Sequence, residues 1–158
     1  MKKIGQQTVK FNNLPQIISS ASIVGKKEFE GPLGEYFDDT ITDAYHKQNS
    51  WELAQIKMTE DLLIKVLAKI DLAQADIDYL LAGDLLNQII ASNFAARDFP
   101  ASFIGLYGAC STMVEALALS SLIIDGGAAD NALAFSSSHY QATERQFRTP
   151  NEYGAKYP

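Results

Sequence analysis

The stretch Ser102-Phe103-Ile104-Gly105-Leu106-Tyr107-Gly108-Ala109-Cys110-Ser111-Thr112, running on to Asp125, decides the fold. Ser102 to Tyr107 reads as a strand, and the small residues after it read as a sharp turn. Ser111 to Asp125 follows as a helix that is apolar nearly all round, with Glu115 its only charge before Asp125. Such a helix is expected in the interior, where Ala116, Ala118, Ser120 and Ser121 let neighbours approach closely. Gly126-Gly127 supplies its stop. The chain's single cysteine, Cys110, sits on the strand-to-helix turn, where exposed N–H groups and the positive helix end favour a thiolate. From the pattern alone it fits three roles: a nucleophile, a wall of an anion-binding pocket, or a packed structural thiol.

Outward from this unit the pattern alternates. Asp76 to Gly83 reads as a strand, Leu86 to Arg97 as a helix with Ile89, Ile90, Ala91, Phe94 and Ala95 inward, and Asn131 to Ser136 as another strand. Strands alternating with helices predict an α/β fold with a mainly parallel sheet covered by helices, here with a buried central helix. Residues 50–70 form the clearest helix, with Ser50 as N-cap, Glu52 in the first turn, and Leu53, Ile56, Leu63, Val66, Leu67 and Ile70 at helical spacing. Thr8 to Phe11 reads as a half-buried strand and Ile17 to Val24 as a more buried one. The segment 25–42, with the turn Gly31-Pro32-Leu33-Gly34, reads as an ordered loop.

Composition narrows the classes. A chain of 158 residues is expected to form one domain, 1–158, with a sizeable core. A net charge of −6 argues against a nucleic-acid partner, because phosphate binding needs clustered Lys and Arg. One cysteine excludes an internal disulfide and a cysteine-built zinc site. No His-x-x-x-His or His-Glu pair occurs, so neither a metal site nor a cofactor is expected. The N-terminal residues lack the apolar core of a secretory signal, and no apolar run approaches the ~20 residues that span a bilayer.

In open α/β sheets, ligands bind at the carboxyl ends of strands. Three loops leave such ends: Gly83 to Gln88, Gly108 to Thr112, and Ser136 to Tyr140, the last continuing into Thr143 to Arg148. Parallel strands would bring all three to one edge. Asp84 fits a ligand contact and equally the N-cap of the helix at 86. His139 fits a base for Cys110, a ligand donor, or a turn residue bonded to Ser137 or Thr143. Arg145 and Arg148 fit a bidentate carboxylate grip and equally a solvent-facing pair. His46, in a distant loop, reads as surface.

The strand–loop–Cys arrangement and its β-α-β-α-β order resemble the N-terminal half of the thiolase and ketoacyl synthase superfamily. Several blocks narrow the resemblance to the stage V sporulation protein AD family. These are Gly31-Pro32-Leu33-Gly34, Ala82-Gly83-Asp84-Leu85-Leu86-Asn87-Gln88, Tyr107-Gly108-Ala109-Cys110-Ser111-Thr112, Ser137-Ser138-His139, and Ala142-Thr143-Glu144-Arg145-Gln146-Phe147-Arg148, with Glu152-Tyr153-Gly154 just after.

The resemblance implies a thiolase-like fold and a binding protein of spore-forming bacteria. That protein is the soluble component of a membrane system that moves dipicolinic acid (pyridine-2,6-dicarboxylate) and calcium into the developing spore. It would sit at the cytoplasmic face of the spore inner membrane, beside the membrane proteins of the same system. Carried over by motif, Cys110, Ser137, Ser138 and His139 would line the pocket, with Asp84 and Asn87 as further contacts. Arg145, Arg148 and the helix start at Ser111 would supply the partners that two carboxylates need. Against the family's length, the last strand of the first half and the whole second half are missing, so this chain is expected to be one half of a duplicated fold. Thiolases draw catalytic histidines and a second cysteine from that second half, so the resemblance implies binding without catalysis. Two other readings stand beside it. One is an acyl-transfer enzyme with Cys110 as nucleophile, activated by the helix start and His139. The other is a structural fragment that works only by docking to a partner or to itself as a homodimer.

Overall fold

The computed structural model describes residues 2–148. In chain order, β1 is Lys2–Lys3, β2 Val9–Lys10, β3 Ile23–Gly25, α1 Lys26–Phe29 and β4 Asp39–Ile41. There follow α2 Trp51–Ala68, β5 Tyr79–Asp84, α3 Ile90–Ala96, β6 Ser102–Gly105, α4 Thr112–Asp125, β7 Ala132–Ser137 and α5 Tyr140–Arg148. The last three strands form the main sheet, ordered β6-β5-β7 and wholly parallel.

Strand alternation builds the layers. Leu80 and Ala82 of β5, with Leu133 and Phe135 of β7, face one core that holds Leu63 and Leu67 of α2 and Ala96 of α3. Leu81 of β5, with Ala132 and Ala134 of β7, faces the opposite core against Ala116 of α4. Helices therefore cover both faces of the sheet, as a parallel sheet requires. Asp78 sets the strand starts: one of its carboxylate oxygens accepts the N–H groups of Asp130 and Asn131, and its carbonyl accepts that of Ser102.

The expected elements appear with corrections. Ser50 caps α2, its hydroxyl accepting the Leu53 N–H at 3.2 Å. The buried face of α2 is rotated from the expected stripe: Leu53 is exposed, while Gln55, Thr59, Leu63 and Leu67 are buried at steps of four. The segment 25–42 is no mere loop, since it carries α1, a 3₁₀ turn and β4. The helix expected over 86–97 shortens to α3, because Gln88 and Ile89 adopt left-handed φ values of 56° and 47°. Ile90 and Phe94 consequently face outward.

Further expectations of burial fail, beginning with the strand read over Thr8 to Phe11, of which only Val9–Lys10 is a strand, and an exposed one. Of the segment 17–24 only Ile23 and Val24 join a strand, β3, which pairs in parallel with β4, while Ile17 and Ile18 stand 75% and 57% exposed. The central helix α4 buries Thr112, Ala116 and Ser120, but Val114 is 70% exposed. The exposure of Ile17 and Ile18 has a physical reason at the edge of the sheet. The sheet ends at β7, so nothing among the described residues fills the space between it and the segment 15–21. An apolar groove of about 250 Å³ remains there, walled by Ile17, Ile18, Val66, Leu117, Ser120 and Leu133 among others.

Candidate functional site

Because β5, β6 and β7 are parallel, the loops after them emerge at one edge of the sheet, as expected. Among the described residues, three of the six left-handed non-glycine residues lie in these loops, the others being His46, Lys47 and Asp71. Ala109, immediately before Cys110, holds a left-handed φ of 49°, and Gln88 and Ile89 form the second such site. These conformations cost of order 1–3 kcal/mol for a residue with a Cβ, and surrounding contacts must hold them.

Asp84 is what holds the β5–α3 loop. It is buried, and its two oxygens accept the Leu86 N–H at 2.9 Å, the Ser92 N–H at 2.7 Å and the Ser92 hydroxyl at 2.7 Å. Asp84 is therefore not the N-cap of a helix at 86, since α3 starts at Ile90 with Ile89 as its N-cap; it reaches the first turn of α3 from the end of β5 instead. Gly83 beside it has no room for a side chain, since a Cβ would lie 2.0 Å from the Leu106 carbonyl oxygen. Asn87, exposed on the same loop, donates its N–H to Gln146 Oε1 at 2.7 Å, which ties the loop to α5. Leu85, Leu86, Asn87, Gln146 and Phe147 form a shallow cleft there.

Cys110 lies on a 3₁₀ turn, and its side chain is exposed rather than enclosed. The start of α4 is covered by the chain itself. Glu115 folds back so that Ser111 Oγ donates to its carboxylate at 2.5 Å, and a Cβ at Gly108 would strike the same carboxylate. A negative group at the positive end of a helix is a favourable placement. The Thr112 hydroxyl, buried at this helix start, has no hydrogen-bond partner among the described residues.

At the end of β7, Ser137 is half-buried and Ser138 exposed. Ser137 is the register partner of Asp84, and its hydroxyl accepts an N–H from Gln55 of α2 at 3.0 Å. His139 is bonded to neither Ser137 nor the Thr143 side chain. Its Nε2 meets the Ala44 carbonyl at 2.7 Å, and its Nδ1 receives the Ala142 N–H at 3.4 Å. These partners assign a neutral ring protonated on Nε2, which caps α5 and anchors it to the loop before α2. Arg145 lies over the Trp51 ring, 5.2 Å from its centroid, and pairs with Glu52. Burial works against the Glu52 carboxylate, yet the Arg145 hydrogen bond brings its pKa below the ordinary value. Arg145 thus joins α5 to α2. The side chain of Arg148, and the block Glu152-Tyr153-Gly154, lie outside the described residues. His46 is partly buried rather than fully exposed, and its Nε2 sits 2.8 Å from Asp61.

Gln55 is the site residue that sequence reasoning missed. The signal was present: the apolar pair Leu63 and Leu67, extended backward in steps of four, runs through Thr59 to Gln55. Among the described residues no three His, Cys, Asp or Glu side chains gather as a metal site, and no helix is long and apolar enough to cross a membrane.

A parallel sheet with helices on both faces, and strained loops along the carboxyl ends of its strands, defines an open α/β protein with a specialised edge. The chain belongs to the stage V sporulation protein AD family, whose model matches residues 5–158. It is 45% identical to stage V sporulation protein AD of Bacillus subtilis (strain 168) over all of its 158 residues. Those residues cover 47% of that protein, so the chain spans about half the length of the curated relative it matches. Its biological setting is accordingly stage V of sporulation.

Proposed function

We propose that this chain is the N-terminal, thiolase-like half of a non-catalytic dipicolinate-binding protein of the spore. In this reading it is a single domain over 1–158 that works in dipicolinate and calcium uptake. It lies at the cytoplasmic face of the inner membrane, beside the membrane proteins of that system. The observation that carries the reading is the coincidence of the family's blocks with the strained edge. The loop at 84–92 and the turn at Ala109–Cys110 both hold left-handed residues where an α/β sheet places its ligands.

The chemistry suits a dicarboxylate in a specific way. Exposed Cys110 and Ser138, the Ser137 hydroxyl and the α4 start border the edge, whereas Asp84 acts from behind by shaping its loop. Glu115 occupies the α4 start, so a ligand carboxylate must displace it or bring a cation to bridge the two. Calcium, which enters as cargo with the acid, would supply the bridging cation. Isothermal titration of the full-length protein with dipicolinate, with and without calcium, tests the proposal. Saturable heat that weakens in Cys110→Ala is expected; heat of dilution alone would sink it.

An acyl-transfer activity is the second reading, favoured by an exposed thiol next to the strained Ala109. His139 is not free to act as its base, because both of its ring nitrogens are engaged. Mass spectrometry after incubation with acyl-CoA separates the two readings: an acyl group on Cys110 would favour transfer.

A further inference from the structure

Gln55 is completely buried, yet it belongs to none of the family blocks and lies on α2, away from the edge loops in sequence. Its Nε2 donates to Ser137 Oγ at 3.0 Å, while its Oε1 has no hydrogen-bond partner among the described residues. A buried acceptor without a partner is unfavourable, and an aliphatic side chain of the same size would avoid that cost. On this face Ala54, Leu63 and Leu67 are apolar, and the one other buried polar residue, Thr59, is satisfied by donating its hydroxyl to the Gln55 carbonyl at 2.8 Å. The one contact that an aliphatic residue would forfeit is the bond to Ser137.

A serine hydroxyl has one proton and two acceptor lone pairs. The Gln55 N–H takes a lone pair, so the Ser137 proton cannot point at that N–H and is directed away from it. Ser137 closes β7 beside Asp84, whose carboxylate is already engaged with Leu86 and Ser92. We propose that Gln55 is a positioning residue that turns Ser137 into a hydrogen-bond donor toward the carboxylate of a ligand at the sheet edge. The inference rests on the dicarboxylate-binding reading and adds to it the polarity of one contact.

The test compares Gln55→Glu, Gln55→Met and Ser137→Ala in the full-length protein, with dipicolinate as the titrant and thermal melting as the check on folding. Gln55→Glu keeps the size but presents an acceptor, so the Ser137 proton turns inward. Affinity is expected to fall about tenfold or more, as far as in Ser137→Ala, and Gln55→Met is expected to lose less. In a Ser137→Ala background, Gln55→Glu should cost nothing further. The Gln55→Glu loss should also shrink as pH falls and the introduced carboxylate protonates. Expressing it as a ratio to wild type removes the pH effects common to both proteins. Wild-type affinity in a folded Gln55→Glu protein, alongside a weakened Ser137→Ala, would overturn the positioning role alone. Absence of dipicolinate binding by the wild type would overturn the underlying reading and this role with it.

Discussion

Asp84 and Ser137 are register partners at the carboxyl ends of adjacent parallel strands, and both turn toward the α2–α3 side of the sheet. The parity is inherited from the strands, because Leu80 and Ala82 precede Asp84, and Leu133 and Phe135 precede Ser137, on the same face. Each strand continues its apolar side into one polar residue at the edge. Asp84 commits both of its oxygens to α3 and its own loop, while Ser137 is held by α2 through Gln55. Cys110, in contrast, starts the helix that covers the other face.

Asp84 and Cys110 should therefore separate by experiment. Asp84→Ala strips two backbone donors and a hydroxyl of their acceptor in a buried setting, and is expected to cost about 3 kcal/mol or more. Cys110→Ala, at an exposed position, should stay within about 0.5 kcal/mol of wild type. Thermal or urea unfolding measures both. A melting temperature for Asp84→Ala equal to wild type would contradict the loop-holding role.

Gly83 is required for space, not for its φ. A methyl group there meets the Leu106 carbonyl at 2.0 Å, so β5 and the end of β6 must part. We expect Gly83→Ala to destabilise by about 3 kcal/mol, read from the urea midpoint. A smaller change than about 1 kcal/mol would show that the Leu106 turn relaxes easily.

Acid should loosen the N-terminal part first. Lys69 donates to Asp38 at 2.5 Å, and this bond, aided by the Ser22 N–H, holds the Asp38 pKa below its ordinary value. Lys65 does the same for Asp39, with the Thr40 N–H assisting. Both carboxylates have depressed folded-state pKa values. Their contribution is present above the unfolded value of about 4 and is lost as pH falls through the folded values. Each half-exposed pair contributes no more than about 1 kcal/mol. Amide exchange across 23–41 is expected to accelerate below about pH 4 while β5 amides stay protected. Equal protection of both regions at low pH would refute this.

The groove beside β7 should bind an apolar dye and promote self-association. Ile17 and Ile18 line it and are largely exposed, so replacing both with Ser should reduce dye fluorescence with little loss of stability. Sedimentation at several concentrations then reports whether copies of the chain associate through this face. A wild-type protein that neither binds dye nor associates would argue that the groove closes in solution.

Much of this was legible in the chain itself. Alternating apolar runs define β5, β6 and β7, and helical spacing with Ser50 defines α2, because these signals are local and depend on residues within a few positions of one another. The parallel sheet, and with it the single edge that gathers the three loops, follows from that alternation. The motif blocks also marked the family, which the comparison with known proteins bears out.

Tertiary structure alone decided the rest. Whether an apolar segment is covered depends on what lies beside it, so Ile17, Ile18 and Val114 could not be placed by pattern. The partners of His139, Arg145 and Asp84 lie 95, 93 and up to 8 residues away, and only the folded chain shows that the first two brace α5. Gln55 and Ser137, 82 residues apart, meet because two different periodicities, four along a helix and two along a strand, end at the same place. Sequence determined the elements and their order; packing determined which polar groups are bound internally and which stay exposed at the edge.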